Sequence, residues 1–431
     1  MCFRLFSVFV LLLIVRVALA QGPPSCPPQA SVQALLERIE RLEKRVNELE
    51  GNEQKLLASQ VASSVQQKPP AQPEQAAPPQ TPPPKPSDHE HMLGNPQVLE
   101  TETHYPSLQI HGFGDVDFAA TDQKGTNSGF SMGQFVLHFA SALSGKVSYF
   151  GEVSFTAQPT TYELAVERSI VRYDYNDYFK LSFGKYHTPI GYWNAAFHHG
   201  AWLQTTINRP EMVKFGGSLI PVHFVGAQAE GNIPSGGLGL GYNIGLGNGR
   251  SSLFSRAGDS GDVNSNRAWV ANLYSRPSRL YGLQMGGSFY GDKVSTIPGK
   301  NFNEWIAAAD VIWTKEHPEV LAEYANVHHR DLATSQIFNT TSYYIQVAYR
   351  LPWEASKWKP YYRFEYIHRP GAEPVWDFSP IPSVLDLVGS TIGIRYDITN
   401  FASFKGEYRN SKHAANEPNV NGAFFQTAFT F

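Results

Sequence analysis

Apolar and polar residues alternate with a period of two along several segments, and aromatic residues close both ends of those segments. On 281–289, Tyr281, Leu283, Met285 and Phe289 share one face. On 305–313 the shared face is Trp305, Ala307, Ala309, Val311 and Trp313. A period of two is the side-chain repeat of a β-strand. On a strand tilted about 40°, aromatics eight residues apart stand roughly 20 Å apart along a barrel axis. That is close to the apolar band of about 25 Å between the aromatic girdles of a membrane-spanning barrel. A soluble β-sandwich would hide such aromatics instead of setting them at two heights.

The pattern predicts an all-β transmembrane barrel with antiparallel strands over 108–120, 130–141, 145–157, 161–174, 178–186, 222–231, 238–247, 267–276, 280–291, 303–313, 319–329, 341–350, 359–368, 386–396, 401–410 and 421–431. That makes sixteen, an even number as in bacterial barrels. Every second connection is short, as at Ser144-Gly145, Tyr175-Asn176-Asp177 and Thr399-Asn400. The others are mostly longer, such as 248–266, 330–340 and 369–385, although the second of them, near Pro159, is short. Short inner turns alternating with longer outer loops are the barrel arrangement. The chain ends with Phe425, Phe429 and Phe431 on one face, like the terminal strand by which such barrels are recognised during insertion.

Composition narrows the function classes. Charged residues are 17% of the chain, against about 25% in a typical soluble protein. A mean hydropathy of −0.30 leaves no room for a bundle of membrane helices. The net charge of −3 becomes about −5 once Arg4 and Arg16 leave with the leader, and no basic stripe is present, so a dedicated nucleic-acid binder is excluded. Cys2 and Cys26 are the only cysteines, which excludes a disulfide framework and a cysteine zinc site. No Gly-x-Ser-x-Gly occurs and no enzyme is expected.

Four domains are expected. Residues 1–20 carry Arg4, an apolar run from Leu5 to Val15 and an Ala18-Leu19-Ala20 end, the pattern of a secretory signal peptide. Residues 30–58 place Val32, Leu35, Ile39, Leu42, Val46, Leu49 and Leu56 at heptad a and d positions of a periplasmic coiled coil. Val or Ile at a with Leu at d fits two strands. The two Arg-aliphatic-x-x-aliphatic-Glu patterns starting at Arg38 and Arg45 favour three. Residues 59–106 form a Pro- and Gln-rich disordered linker. Residues 107–431 form the barrel.

The run Phe183-Gly184-Lys185-Tyr186-His187-Thr188-Pro189-Ile190-Gly191 resembles a strand motif of the sixteen-stranded trimeric outer-membrane porins. The phosphate-selective porin superfamily and the siderophore-porin group, with their N-terminal periplasmic coiled coil, are the nearest relatives by this resemblance. It implies a homotrimer in the outer-membrane lipid and a third loop, here 187–221, folded into the lumen. The loop's own Trp193, Phe197, Trp202 and Ile207 are too apolar for a free loop. His198, His199, Arg209, Glu211 and Lys214 are then its constriction residues. His198 and His199 could equally hydrogen-bond the barrel wall, and no third metal ligand has a fixed spacing, so no metal and no cofactor are expected.

Opposite the loop, alternation turns Arg350, Arg363, Glu365, Arg395, Lys405, Glu407 and Arg409 toward the pore, because charge on the lipid face costs about 2–4 kcal/mol at midplane. The basic excess predicts a mild anion preference. The expected function is passive diffusion of small hydrophilic solutes. The alternatives are a substrate-specific uptake channel for a siderophore, phosphate or organic anion, and a structural tether to the cell wall through the N-terminal segment.

Overall fold

The structure, a computed structural model, describes residues 105–431 apart from 198, 215–218, 252–257, 296, 379–383, 385 and 414–416. The expected signal peptide, the coiled coil, all but the end of the linker, Cys26 and His198 lie outside the described residues.

Sixteen antiparallel strands close into one barrel, each paired with its chain neighbours and β16 with β1. They are β1 (Ser107–Thr121), β2 (Gly129–Ala142), β3 (Val147–Ala157), β4 (Tyr162–Asn176), β5 (Phe179–His187), β6 (His223–Ile233), β7 (Leu240–Asn248), β8 (Ala268–Ser275), β9 (Leu283–Val294), β10 (Phe302–Trp313), β11 (Glu319–Asp331), β12 (Ile337–Ala348), β13 (Trp358–His368), β14 (Leu387–Thr399), β15 (Ala402–Lys412) and β16 (Val420–Thr430). Among the described residues no helix is long and apolar enough to cross a membrane. Loops L1 to L8 follow the odd-numbered strands on one rim, L8 joining β15 to β16. Tight turns lie on the other rim. L3 (188–222) is the longest connection.

Alternation decides which face each residue takes. On β10, Glu304, Ile306, Ala308, Asp310 and Ile312 are buried inward, whereas Trp305, Ala307, Ala309 and Val311 are exposed outward. Closure removes the free strand edges, so every backbone group in the apolar band finds a partner. The closing register runs from Phe113↔Thr430 to Thr121↔Gly422. Gly112 and Gly114 make that seam possible. A Cβ on Gly112 would stand 2.2 Å from the Phe431 ring, and one on Gly114 2.5 Å from the Phe429 ring. The terminal aromatics therefore lie flat on the first strand.

The interior has two unlike halves. Along β8 to β12 the inward residues include Val270, Tyr290, Ile306, Leu321 and Val327, which form one apolar cluster with Trp193, Phe197, Met212 and Ile220 of L3. Fully burying such a side chain stabilises by about 1.5–3 kcal/mol. The other half of the wall is charged.

Two β-bulges lie inside strands near the charged side, while two further register shifts fall at strand ends, between Asp174 and Asn176 and between Asp397 and Thr399. On β4 the register passes from Glu152↔Arg168 to Val153↔Val166, so Glu167 is an extra residue. On β1 and β2 it passes from Gly114↔Phe135 to Val116↔Met132.

Two expected strands are displaced. β9 runs Leu283–Val294 instead of 280–291. β12 runs Ile337–Ala348 instead of 341–350. L6 is a tight turn in which the Asp331 carboxylate accepts from the Ala333 and Thr334 amides at 2.7 and 3.2 Å. That turn starts the returning strand early and ends it before Arg350.

The outward position of Ala309, midway between Trp305 and Trp313, gives a first prediction. Ala309→Arg lowers barrel stability by about 2–4 kcal/mol in lipid vesicles, measured as reversible denaturant unfolding. A cost near zero would place that face away from lipid.

Candidate pore constriction

L3 carries backbone donors and acceptors into the lumen, and each needs a partner there. At its base the Thr188 amide donates to the Val222 carbonyl at 2.9 Å. The Asn194 side-chain amide clasps both limbs, donating to the Thr188 and Val222 carbonyls at 2.8 and 3.1 Å. The following short helix α1 (Trp193–Ala196) has no capping side chain of its own. Its first amides are satisfied from the wall: Glu323 of β11 accepts from the Tyr192 and Trp193 amides at 3.0 and 2.7 Å, and from the Tyr344 hydroxyl. Gly191 takes φ +69°, and a Cβ there would stand 2.0 Å from the Glu323 carboxylate. The glycine ending the Thr-Pro-aliphatic-Gly motif is thus required by the capping carboxylate.

The second limb of L3 rests on the charged wall. Lys405 of β15 donates to the carbonyls of Ala201 and Thr206, and to Gln426 at 3.0 Å. Arg395 of β14 donates to the Trp202 and Gln204 carbonyls at 2.8 and 3.0 Å. Arg363 of β13 reaches the Asn208 carbonyl at 2.7 Å and the Arg209 carbonyl at 3.4 Å. The carboxylates take the amides: Ile207 donates to Glu407 at 2.6 Å, and Glu211 donates to Glu365 at 2.6 Å. Cations serve carbonyls and anions serve amides along one stretch of loop.

The expected site residues therefore divide. Arg363, Glu365, Arg395, Lys405 and Glu407 meet L3 directly, with Arg363 and Lys405 buried beneath it. Arg409 pairs with Glu407 and lies 3.9 Å over the Phe424 ring. Glu211 and Lys214 form an ion pair at 3.0 Å, with side chains 35% and 56% exposed. Arg209 presents its backbone carbonyl to Arg363. His199 turns to the wall, with Nδ1 3.0 Å from Gln134 and Nε2 3.6 Å from Glu167. Arg350 lies past the end of β12 on the turn rim, bonded to Glu316 and Asp397 at 2.6 and 2.7 Å. Burial alone would raise the Glu316 carboxyl, but Lys359 and Arg350 hold it below the usual range. Arg350 is a brace between turns.

A second cluster was not legible in the sequence. His138 of β2, His187 ending β5, His199 of L3 and His223 opening β6 surround Glu152 and Glu167. His138 Nε2 is 3.3 Å from Glu152, which also pairs with Arg168; His223 Nε2 is 2.9 Å from Glu167. The His187 ring centroid lies 5.8 Å from that of His223 and 6.4 Å from that of His199. The β4 bulge builds this cluster by turning the consecutive residues Glu167 and Arg168 both inward, as bulges do when they re-aim a side chain. Strict alternation would send one of them to lipid. Among the described residues no three His, Cys, Asp or Glu side chains are placed to hold a metal ion.

The anchoring of L3 gives a second prediction. Lys405→Met leaves the Ala201 and Thr206 carbonyls without their buried donor, at about 1–3 kcal/mol of stability. The thermal unfolding midpoint in detergent falls while the barrel still assembles. An unchanged midpoint would remove Lys405 from the anchoring role.

The barrel is similar to solved outer-membrane proteins. An anion-selective porin from Comamonas acidovorans matches with a TM-score of 0.56 at 10% identity, over 76% of this chain and 100% of that one. The outer-membrane channel DcaP of Acinetobacter baumannii matches with a TM-score of 0.52 at 14% identity, over 76% and 97%. The trimer form of OmpT, an outer-membrane protein of Vibrio cholerae, matches with a TM-score of 0.52 at 13% identity, over 76% and 99%. No protein-family model and no curated protein sequence matches the chain. With its own strand count, order and closure, these likenesses show that the chain has the sixteen-stranded porin-type fold.

Proposed function

We propose that this chain is an outer-membrane channel for passive diffusion of small hydrophilic solutes with a mild anion preference, assembled as a homotrimer. The observation that carries this reading is L3, folded into a sixteen-stranded barrel and bonded to its wall at β11 and at β13 to β15. Barrels of sixteen to eighteen strands are wide enough for an aqueous channel. A loop fixed inside such a barrel narrows the path without being a mobile plug. The apolar face of L3 closes the β8 to β12 side of that path, and its second limb lines the side of β13 to β15.

The anion preference is supported by which member of each ion pair reaches solvent. In Arg168–Glu152 and in Arg409–Glu407 the guanidinium side chain is 15% exposed and the carboxylate 0%. Arg363–Glu365 runs the other way, at 1% and 13%, as does Arg395–Asp397 at 10% and 23%. The bias is therefore mild. A solute meets Arg168 and Arg409 before it meets their carboxylates. The neighbour from Comamonas acidovorans is itself anion-selective. Trimer assembly is supported by the Arg-aliphatic-x-x-aliphatic-Glu patterns, and one neighbour has a trimer form.

A substrate-specific channel is the second reading, favoured by the buried His138, His187, His199 and His223 beside L3. The two readings separate in planar bilayers. Passive diffusion gives ohmic steps in groups of three, and a specific channel gives current that one solute class blocks saturably. For the first reading, Arg168→Gln combined with Arg409→Gln lowers the anion-to-cation permeability ratio at least about twofold, read as the reversal potential in a salt gradient. An unchanged ratio would move the selectivity elsewhere in the lumen.

A further inference from the structure

Three loops converge on one buried ionic knot near the loop rim. Arg250, where L4 leaves β7, donates from Nε to both Glu304 oxygens of β10 at 2.7 and 2.9 Å, and from a terminal nitrogen to the Leu219 carbonyl of L3 at 2.9 Å. His329 of β11 has Nε2 2.7 Å from Glu304 and Nδ1 against Glu373 of L7. The side chains of Arg250, Glu304, His329 and Glu373 are all 0% or 1% exposed. Glu373 begins the short helix α2 (Pro374–Asp377), whose Val375 and Trp376 are buried. The His329 and Trp376 rings are 4.8 Å apart, and Trp376 Nε1 donates to the Thr340 hydroxyl at 2.8 Å, which itself donates to Glu373 at 3.1 Å.

The geometry fixes a proton count. A neutral imidazole carries one N–H and one lone pair. Both ring nitrogens of His329 face carboxylates, so both contacts are attractive only when the imidazole–dicarboxylate group holds one proton beyond the neutral ring. With that proton, the positive Arg250 and His329 balance Glu304 and Glu373. The other groups facing the knot do not supply a cation. Asp292 of β9 accepts from the Arg250 amide at 2.8 Å and from the Tyr290 hydroxyl at 3.2 Å. Asp377 of L7 accepts from the Glu373 amide at 2.9 Å and pairs with Arg369 at 2.7 Å.

We propose that His329 and Glu373 form a proton-dependent latch that holds the α2 segment of L7 against the inner wall at β11 and β12, closed while the imidazole keeps both protons and released when it loses one. Loss of the proton leaves Arg250 alone against Glu304, Glu373 and the neighbouring Asp292, and this further uncompensated buried charge is costly to sustain. Glu304 is fixed on a strand by Arg250. Glu373 is on a loop, so it is the carboxylate that leaves for water and takes α2 with it.

The test is proteinase K cleavage of the full-length detergent-folded protein at about pH 6 and about pH 10, on either side of the ordinary histidine value of about 6.5. Products are mapped by mass spectrometry, and cleavage in L7 is expressed relative to cleavage in L1, which corrects for protease activity. The latch predicts a relative L7 cleavage at least about tenfold higher at the alkaline pH. In Glu373→Gln the amide either accepts from Nδ1–H or donates to bare Nδ1, so the ratio stays low at both pH values. A wild-type ratio independent of pH overturns the latch, and so does a Glu373→Gln ratio that rises like wild type. The readout is a cleavage pattern, so its result stands whether or not the barrel conducts.

Discussion

An irregular loop inside a barrel brings peptide groups to a place where water cannot serve all of them. Each buried group left without a partner costs about 1–3 kcal/mol, so the wall must answer L3 group by group. It does so with charge of the appropriate sign. Lys405, Arg395 and Arg363 take the carbonyls of residues 201 to 209, and Glu407, Glu365 and Glu323 take the amides of Ile207, Glu211, Tyr192 and Trp193. The position of L3 inside the barrel and the two-sided character of the wall both depend on that match.

The apolar face of L3 adds a second constraint. Trp193, Met212 and Ile220 need an apolar partner inside a barrel, and β8 to β12 supply one by turning Val270, Ile306 and Val327 inward. Much of the inner face of these strands is therefore apolar as well, with Glu304, Asp310 and Glu323 set among the apolar side chains, whereas β13 to β15 are apolar outside and mostly charged inside. L4 and L7 cover the same apolar side, with Arg250 and Trp376 fully buried. The apolar faces of L3, L4 and L7 meet on that side, while the second limb of L3 crosses to the charged wall of β13 to β15.

Strand number and the inward and outward faces were legible because each rests on a local rule. A period of two survives any tertiary context in a membrane barrel, since a slip of one residue would put charge into lipid. Arg350 shows the limit of that rule: it has the right parity, but a tight L6 ends β12 at Ala348 and leaves it on the turn rim. The two bulges were not legible. Nothing local distinguishes Glu167 and Arg168 from an ordinary alternating pair, yet the extra residue at 167 places both side chains in the lumen. The L3 partners on β11 and β13 to β15 were not legible either, because they lie more than a hundred residues away in sequence.

Counting wall charges misjudges selectivity for the same reason. Arg363 and Lys405 are cations of the wall, but their donors are spent on carbonyls and neither side chain reaches the path. Glu152 and Glu407 are anions of the wall, but each lies behind its own guanidinium. A permeating ion responds to the groups at the water interface, since charge buried in a matched pair is largely cancelled at the distance of the path. Two walls of identical composition would differ in sign if the order within these pairs were reversed. The bulge at Glu167 and the Ile207 amide on Glu407 fix that order, so under the proposed channel function the backbone of β4 and L3 determines which ion is favoured.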